Sequence, residues 1–394
     1  MATLCEAVRL LMRILRKAAG TVSPACRDAF VVHLYMLYSC MFLLESQIKA
    51  DTLTNAGTSK ADAAVLEQRS NGMETLLDAT IIMDECRKNI WQRGVVDEQV
   101  VLIPCKIAYV LLERSTGIVA RRTFGATPAM EILTRTVQAH PTLLTHVVAS
   151  VWDMLHNHEH MAALVAELGT SNHGAFLLTQ EMLKEYGRLD GSGDPKMTGV
   201  KLVAPWVGLV AERRPDWVLP HLAHIVGHLT HSEAYPLRSA VVTALAAILL
   251  RQKTGAVTEE EDKAQDQDDE NAPEETPAVA ITTKLSPTTR DQILQLLVTQ
   301  AHDVSSYTRA AVLKAWGRLV AHRVLPKGWI QRVTKLALER LSDKTVVVRK
   351  QSMQVSFPPW LWCIVLVVDL VCRWAECFGC FSPYRVPFVP TYSS

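Results

Sequence analysis

Aromatic residues are scarce in this sequence of 394 residues, and strand-like patterns are scarcer still. Phe, Trp and Tyr make up 6% of the chain, although 49% of it is hydrophobic. No long stretch alternates apolar with polar residues, so an extensive β-sheet is not expected. Apolar residues instead recur at helical spacing almost everywhere, and the many Leu and Ala residues are good helix formers. The composition therefore predicts an all-α protein.

The motifs of the common enzyme classes are also absent. The sequence has no GxxxxGK[ST] phosphate loop, no GxSxG elbow and no GxGxxG after a strand. The histidines within 156–160 lack the HExxH spacing, and those within 221–231 have no Cys or carboxylate placed beside them. Residues 190–201 begin like a calcium loop but have Pro and Lys where Gly and Glu are required. No catalytic residue, cofactor or metal site is predicted.

Nine cysteines give no disulfide framework. Five are scattered through the chain and four lie within residues 363–380, a distribution that suits a reducing compartment. The CxxC at Cys377 and Cys380 has no second pair, so it does not predict a structural zinc site. The first twenty residues form a basic amphipathic pattern without the continuous apolar segment of a signal peptide. This pattern favours an ordinary first helix, with a transit peptide as the alternative.

The net charge of +1 conceals two segments of opposite sign. Residues 259–275 hold ten acidic residues and one Lys, whereas residues 284–354 hold thirteen Lys or Arg and four acidic residues. A strongly acidic segment without apolar periodicity predicts disorder. A local basic surface favours a polyanionic partner more than the whole-chain charge suggests.

The turns before several helices repeat. Asp303 and Arg309 enclose five residues, and Asp343 and Arg349 repeat that spacing forty residues later; a third copy starts at Ser232 and ends at Arg238. We expect the first residue of each copy to cap the second helix of a pair and the Arg to reach a neighbouring repeat. This period and placement are typical of two-helix HEAT repeats, which stack into an α-solenoid.

Segments between these landmarks are predicted from their patterns. Residues 28–48 are apolar nearly all round, which predicts a buried helix, and residues 49–72 predict a loop or weak helix. From residue 73 to about 188, helices are expected with breaks at Gly94, Gly117, Pro128, Pro141 and Gly169. The expected domains are an N-terminal helical domain (1–188), HEAT-like helices (200–252), an acidic disordered insertion (253–284), basic HEAT repeats (285–354) and a tail (355–394).

Two stretches of the basic repeats, HDVSSYTRAAVLKAWGRLV and ERLSDKTVVVRKQSMQ, resemble the HEAT repeats of the condensin subunit 1 family. The first begins at residue 302 and the second at residue 339. Residues 198–242 are similar to a further block of that family, and NIWQRGVVDEQVV at 89–101 resembles its N-terminal domain. The resemblance covers roughly residues 75–354, and residues 355–394 match nothing in the family.

The resemblance implies a non-catalytic HEAT-repeat scaffold in the condensin complex. Such a subunit is held by the kleisin subunit and assists the SMC ATPase pair in binding double-stranded DNA and compacting mitotic chromosomes. Its expected location is the nucleus, on chromosomes. ATP hydrolysis would belong to the partners, in agreement with the missing phosphate loop.

The basic repeats supply the candidate site residues. Four cations are the candidates for contacting DNA phosphates: Lys314, Arg318, Lys327 and Lys335. Five residues are expected to be structural parts of the HEAT turns: Asp303, Arg309, Asp343, Arg349 and Arg238. Aromatic residues are sparse among these cations, so sequence-specific recognition is not expected.

Two other readings stay open at this point. A HEAT-repeat adaptor of transport or signalling, such as an importin-like carrier, would bind peptides on a concave face and would not bind DNA. A membrane-anchored helical protein would use residues 360–372. Its apolar run, residues 360–368, is about half the roughly twenty residues that a membrane helix needs.

Overall fold

The computed structural model describes residues 1–17, 22–48, 60–91, 96–114, 126–171, 173–189, 198–262 and 285–356. Within these ranges the regular elements are helices and no strand occurs, so the predicted all-α, HEAT-type solenoid class is confirmed. The helices are α1 (Ala2–Lys17), α2 (Pro24–Gln47), α3 (Lys60–Glu85), α4 (Arg87–Ile90), α5 (Glu98–Glu113), α6 (Ala126–Ala139), α7 (Leu144–Asn157), α8 (Met161–Ser171), α9 (Phe176–Tyr186), α10 (Thr198–Val203), α11 (Pro205–Arg213), α12 (Pro215–Val218), α13 (Leu222–His231), α14 (Tyr235–Asp262), α15 (Pro287–Gln300), α16 (Ser306–Ala321), α17 (Lys327–Arg340) and α18 (Val346–Ser356). Single 3₁₀ turns lie at Pro141–Leu143, His173–Ala175 and Leu219–His221.

The described residues form two compact units, one within residues 1–293 and one within residues 294–356. The first unit begins with α1, whose apolar residues recur every three or four positions. This spacing puts one stripe of α1 against α2 and α3, with Cys5, Val8, Met12 and Leu15 buried. Helix α2 also packs against α5.

Helix α2 differs from the buried helix that its sequence predicts. The helix spans Pro24–Gln47, and one of its faces is buried. An apolar stripe on the opposite face is exposed to solvent. That stripe consists of Val32, Tyr35, Met36, Phe42 and Leu43. Among the described residues, α2 is long and apolar enough to cross a membrane, a property that core helices share. An all-round apolar pattern does not specify which neighbours cover each face, so the prediction of full burial was wrong.

An aromatic cluster crosses the domain boundary that the sequence predicts near residues 189–199. Trp152 on α7 lies 5.7 Å from the ring of Trp206 on α11, and Tyr186 on α9 lies 6.3 Å from Trp206. The Tyr186 hydroxyl donates a hydrogen bond to the Ala204 carbonyl at 3.0 Å. Helices on both sides of the predicted loop therefore share one core, and the structure does not divide the chain there.

Three predicted boundaries shift in the structure. Helix α3 begins at Lys60, so part of the segment expected to be a loop or weak helix is helical. Gly169 lies inside α8 rather than at a break. Helix α14 continues to Asp262, ten residues into the predicted acidic insertion, because Glu-rich sequence favours a helix. Residues 263–284 lie outside the described residues, as do Gly94 and Gly117.

The second unit contains the repeated helices. Helix α16 packs against α18, and α18 packs against α17. Its core includes Val312, Leu313, Trp316 and Val348, all fully buried. Ser352 on α18 donates a hydrogen bond to the Ala337 carbonyl on α17, which joins the two helices of one pair. Helix α18 ends at Ser356, and the remainder of the predicted tail lies outside the described residues.

Candidate nucleic-acid interface and the repeat turns

All three copies of the repeated turn place their Arg in the same way. The Nη1 group of Arg238 donates hydrogen bonds to the carbonyls of Ser232 (2.8 Å) and Glu233 (3.0 Å). Arg309 and Arg349 bind the corresponding two carbonyls of their own turns, at 2.8–2.9 Å and 2.8–3.1 Å. These carbonyls precede a helix and have no intrahelical donor, so the Arg satisfies them. The spacing of six residues is thus explained by a local contact.

In the two copies that begin with Asp, the carboxylate accepts a hydrogen bond from the backbone N–H two residues later, and the Asp is not the helix N-cap. The Asp303 carboxylate accepts a hydrogen bond from the Ser305 N–H at 2.6 Å, and Asp343 accepts from the Thr345 N–H at 3.0 Å. The N-cap of α16 is Ser305, whose hydroxyl accepts from the Tyr307 N–H at 3.3 Å. Asp favours this turn because its short side chain mimics a backbone carbonyl. The expected helix cap is therefore a turn brace in the structure.

Arg309 also joins its own turn to the next one. Its Nε and Nη2 groups donate to the two carboxylate oxygens of Asp343 at 2.8 and 2.9 Å. The side chains are 13% and 4% exposed, respectively, so the bidentate pair is shielded from water. Hydrogen bonds from Arg309 hold the pKa of the Asp343 carboxyl well below its ordinary value. All three guanidinium nitrogens of Arg309 thus donate hydrogen bonds within the repeats, and none is left to bind a DNA phosphate.

The four candidate DNA cations are divided between two helices. Lys314 is exposed and Arg318 half-buried on α16, whereas Lys327 and Lys335 are exposed on α17. Eight residues separate these two lysines, which corresponds to about 12 Å along the helix axis and about 80° around it. Both helices pack against α18. The four candidates therefore lie two on α16 and two on α17.

One further exposed cation lies on α17. The guanidinium of Arg332 lies 5.1 Å from the centre of the Trp329 ring, a cation–π contact that orients it. Arg332 is exposed and lies three residues before Lys335 on the same helix. Arg332 was not among the four cations predicted from the sequence. The aromatic residue three positions before it is the signal that could have found it. Lys327, Arg332 and Lys335 form what we call the α17 basic surface.

The histidines of residues 221–231 line a groove in the first unit. Two adjoining cavities of about 310 and 340 Å³ lie between α9 and α13. His221 Nε2 is 2.6 Å from the Gln180 side-chain oxygen, and His228 Nε2 donates to the Tyr186 carbonyl at 2.7 Å. Burial lowers the pKa of both rings. These nitrogens serve structural hydrogen bonds, and no cluster of metal-ligating side chains occurs among the described residues.

Comparisons with known proteins find similar sequences among condensin subunits. No family model matches the chain. Condensin complex subunit 1 from Homo sapiens is 28% identical over 357 residues, which cover 85% of this chain and 23% of that protein. The Xenopus laevis protein of the same name is 25% identical over 343 residues, covering 82% of this chain and 23% of its own length. The Arabidopsis thaliana condensin-1 complex subunit CAP-D2 is 24% identical over 268 residues, or 66% of this chain.

These matches cover most of the chain but only part of the relatives. The chain spans about a quarter of the length of the human and frog proteins. The predicted resemblance is confirmed, since several condensin subunits match at 24–28% identity over 66–85% of the chain. The chain is thus similar, over most of its length, to a part of condensin complex subunit 1.

Proposed function

We propose that this chain is a non-catalytic scaffold of the condensin complex that binds the kleisin subunit and double-stranded DNA during mitotic chromosome condensation. The observation that carries the proposal is the similarity to condensin subunit 1 across species as distant as human and Arabidopsis. The paired Arg309 and Asp343 support a scaffold role, because they lock successive helix pairs together. ATP hydrolysis is assigned to the SMC partners.

The α17 basic surface supports the DNA-binding part of the proposal. Its three cations are exposed on one helix, and the segment 284–354 has nine more basic than acidic residues. Lys and Arg that neutralise phosphates release counterions, so such binding weakens steeply with salt. Contacts made to the backbone alone carry no sequence information, so weak binding without sequence preference is expected.

A salt titration tests this assignment. We expect Lys327→Gln/Lys335→Gln to reduce the slope of log affinity against log salt by up to about two, since each phosphate contact contributes about 0.9. Lys314→Gln should reduce it by at most about one. The matched control is Arg13→Gln/Lys17→Gln, which removes two exposed cations from α1. Fluorescence titrations of the whole chain with duplex DNA would refute DNA binding if the affinity were independent of salt.

A second experiment tests complex membership separately. The chain is co-expressed with the condensin kleisin subunit, and both are purified through a tag on the kleisin. Retention of the chain at high salt, where DNA contacts are lost, supports the scaffold assignment. No retention, together with salt-independent DNA results, would favour the alternative of a helical-repeat adaptor that binds peptides.

A further inference from the structure

The exposed positions of α2 repeat every seven residues over 32–46. A central row of three residues has two aromatic residues on one side and two other apolar residues on the opposite side. The central row is Val32, Ser39 and Ser46, the aromatic side is Tyr35 and Phe42, and the other side is Met36 and Leu43. These seven positions lie within about 120° of the helix circumference. Such a seven-residue repeat is the pattern by which one helix packs lengthwise against another.

The two serines of the central row need no partner from outside the helix. The Ser39 hydroxyl donates a hydrogen bond to the Tyr35 carbonyl at 3.0 Å, and the Ser46 hydroxyl donates to the Leu43 carbonyl at 2.7 Å. None of the seven positions holds a charged residue, and Glu45 lies on the buried face of α2. A charged partner would lose its hydration here without gaining an ion pair. The exposed stripe therefore fits a partner whose own face is apolar and uncharged.

The stripe is complementary to itself when two copies of α2 run antiparallel. With Ser39 of one chain opposite Ser39 of a second copy, each side of the central row meets its own kind. Tyr35 lies opposite Phe42 of the second copy, and Met36 lies opposite Leu43 of the second copy. Val32 lies opposite the small Ser46 of the second copy, and the small Ser39 at the centre lets the two backbones approach. This isologous contact is the type that two-fold dimers use.

We propose that the stripe of α2 over residues 32–46 binds the same stripe of a second copy of this chain, as an antiparallel helix pair centred on Ser39. Its five apolar side chains are 43–57% exposed, and pairing would remove them from water. The contact is about 21 Å long and one helix wide. It is smaller than the roughly 800 Å² per partner of a standard interface, so association in the micromolar range is expected. Pairing would join two scaffolds, which goes beyond the proposed function and does not depend on DNA binding.

Light scattering of the full chain after size-exclusion chromatography tests the pairing. At about 50 µM we expect twice the mass of one chain, and the mass should fall on dilution. Phe42→Asp places a charge in the contact and should weaken the dimer at least tenfold. Leu177→Asp on α9, where Leu177 is 46% exposed, is the matched control and should leave the mass unchanged. A parent chain that stays monomeric at about 100 µM would overturn the proposal.

A pair of introduced charges tests the antiparallel arrangement. Val32→Lys and Ser46→Glu should each weaken the dimer, because each puts one charge against an uncharged position. The double variant should recover most of the affinity, since each introduced cation faces an introduced carboxylate of the second copy. In a parallel pair, like charges would lie opposite each other. A double variant weaker than both single variants would therefore overturn the proposed geometry. Circular dichroism would check that all variants keep their helices.

A lipid surface is the alternative occupant of this stripe, because α2 is long and apolar enough to cross a membrane. Flotation with phosphatidylcholine vesicles separates the two. We expect the dimeric parent chain to remain in solution, because its stripe is already covered. If the parent floats with the vesicles as a monomer and Phe42→Asp does not, the stripe serves a membrane and the proposed pairing is wrong.

Discussion

At the scale of single residues, the pair of Arg309 and Asp343 is the contact on which the repeat geometry depends most. Both side chains are largely shielded, so removing Arg309 leaves the Asp343 carboxylate with only the more distant Arg340, at 3.8 Å, as an ion-pair partner. We expect Arg309→Met to destabilise the second unit by about 3 kcal/mol, whereas Arg349→Met should cost only about 1 kcal/mol. Hydrogen exchange of the α16 and α18 amides would measure the loss of stability in both variants. Equal losses in the two variants would contradict the distinction.

The lowered pKa of Asp343 adds a pH dependence with a definite sign. A carboxyl with a folded-state pKa below its unfolded value stabilises the fold above the unfolded pKa, about 3.9 for Asp. That contribution disappears as the pH falls below this value. Asp343→Asn should therefore have a lower thermal midpoint than the parent at pH 6. The difference between the two midpoints should be smaller at pH 3. A difference that stays constant over this range would contradict the linkage.

His221 and His228 should produce a pH dependence of the same sign as that of Asp343, but at higher pH. Burial is the main cause of their lowered pKa, and nearby Lys184 and His224 add to it for His221. Because the fold favours the neutral rings, their contribution is present above about pH 6.5 and is lost as the pH falls below it. We expect the thermal midpoint of the first unit to drop between pH 7 and pH 5. His228→Gln keeps a donor for the Tyr186 carbonyl and should reduce that drop.

Arg323 has a backbone conformation that Gly adopts more easily. Its φ is 54°, and it follows α16, where the Val324 N–H donates to the Leu319 carbonyl at 3.0 Å. This arrangement ends many helices and is usually filled by Gly. Arg323→Gly should stabilise the second unit by about 0.5 kcal/mol, and Arg323→Val should destabilise it by about 1 kcal/mol. Thermal melts of the three proteins would test the order.

At the scale of helices, the buried pair of Glu45 and Arg69 joins α2 to α3. Arg69 Nε lies 2.5 Å from the Glu45 carboxylate, and both side chains are inaccessible to water. Arg114, at the end of α5, lies 3.7 Å from the same carboxylate and donates to the Ile48 carbonyl at 2.6 Å. Glu45→Ala would strand a buried guanidinium, so we expect a loss of about 3–5 kcal/mol. Glu45→Leu/Arg69→Met should recover most of it in a chemical denaturation series.

The repeat turns and the buried pair show which parts of this fold a sequence reveals. The turn repeats because Arg309 and Arg349 bind carbonyls only five and six residues away, so the geometry leaves a fixed spacing in the chain. Glu45 and Arg69 are 24 residues apart on different helices, and no periodicity marks them. The exposed stripe of α2 was missed for the same reason, since burial depends on which helices pack where. Local contacts were predictable, and contacts between distant helices were not.

At the scale of the whole molecule, the acidic segment should compete with DNA for the cations of the basic repeats. Residues 266–275 contain six acidic residues and lie in sequence just before the basic repeats. Changing these six to their amides should raise the affinity of the whole chain for duplex DNA several-fold at low salt, because fewer acidic groups would compete for the cations. The gain should disappear near 1 M salt, where charges farther apart than about 3 Å are screened. A variant that keeps the composition of residues 266–275 but scrambles their order is the control and should bind like the parent. An affinity gain that persists at high salt would show that the segment acts by shape or contact and not by its charge.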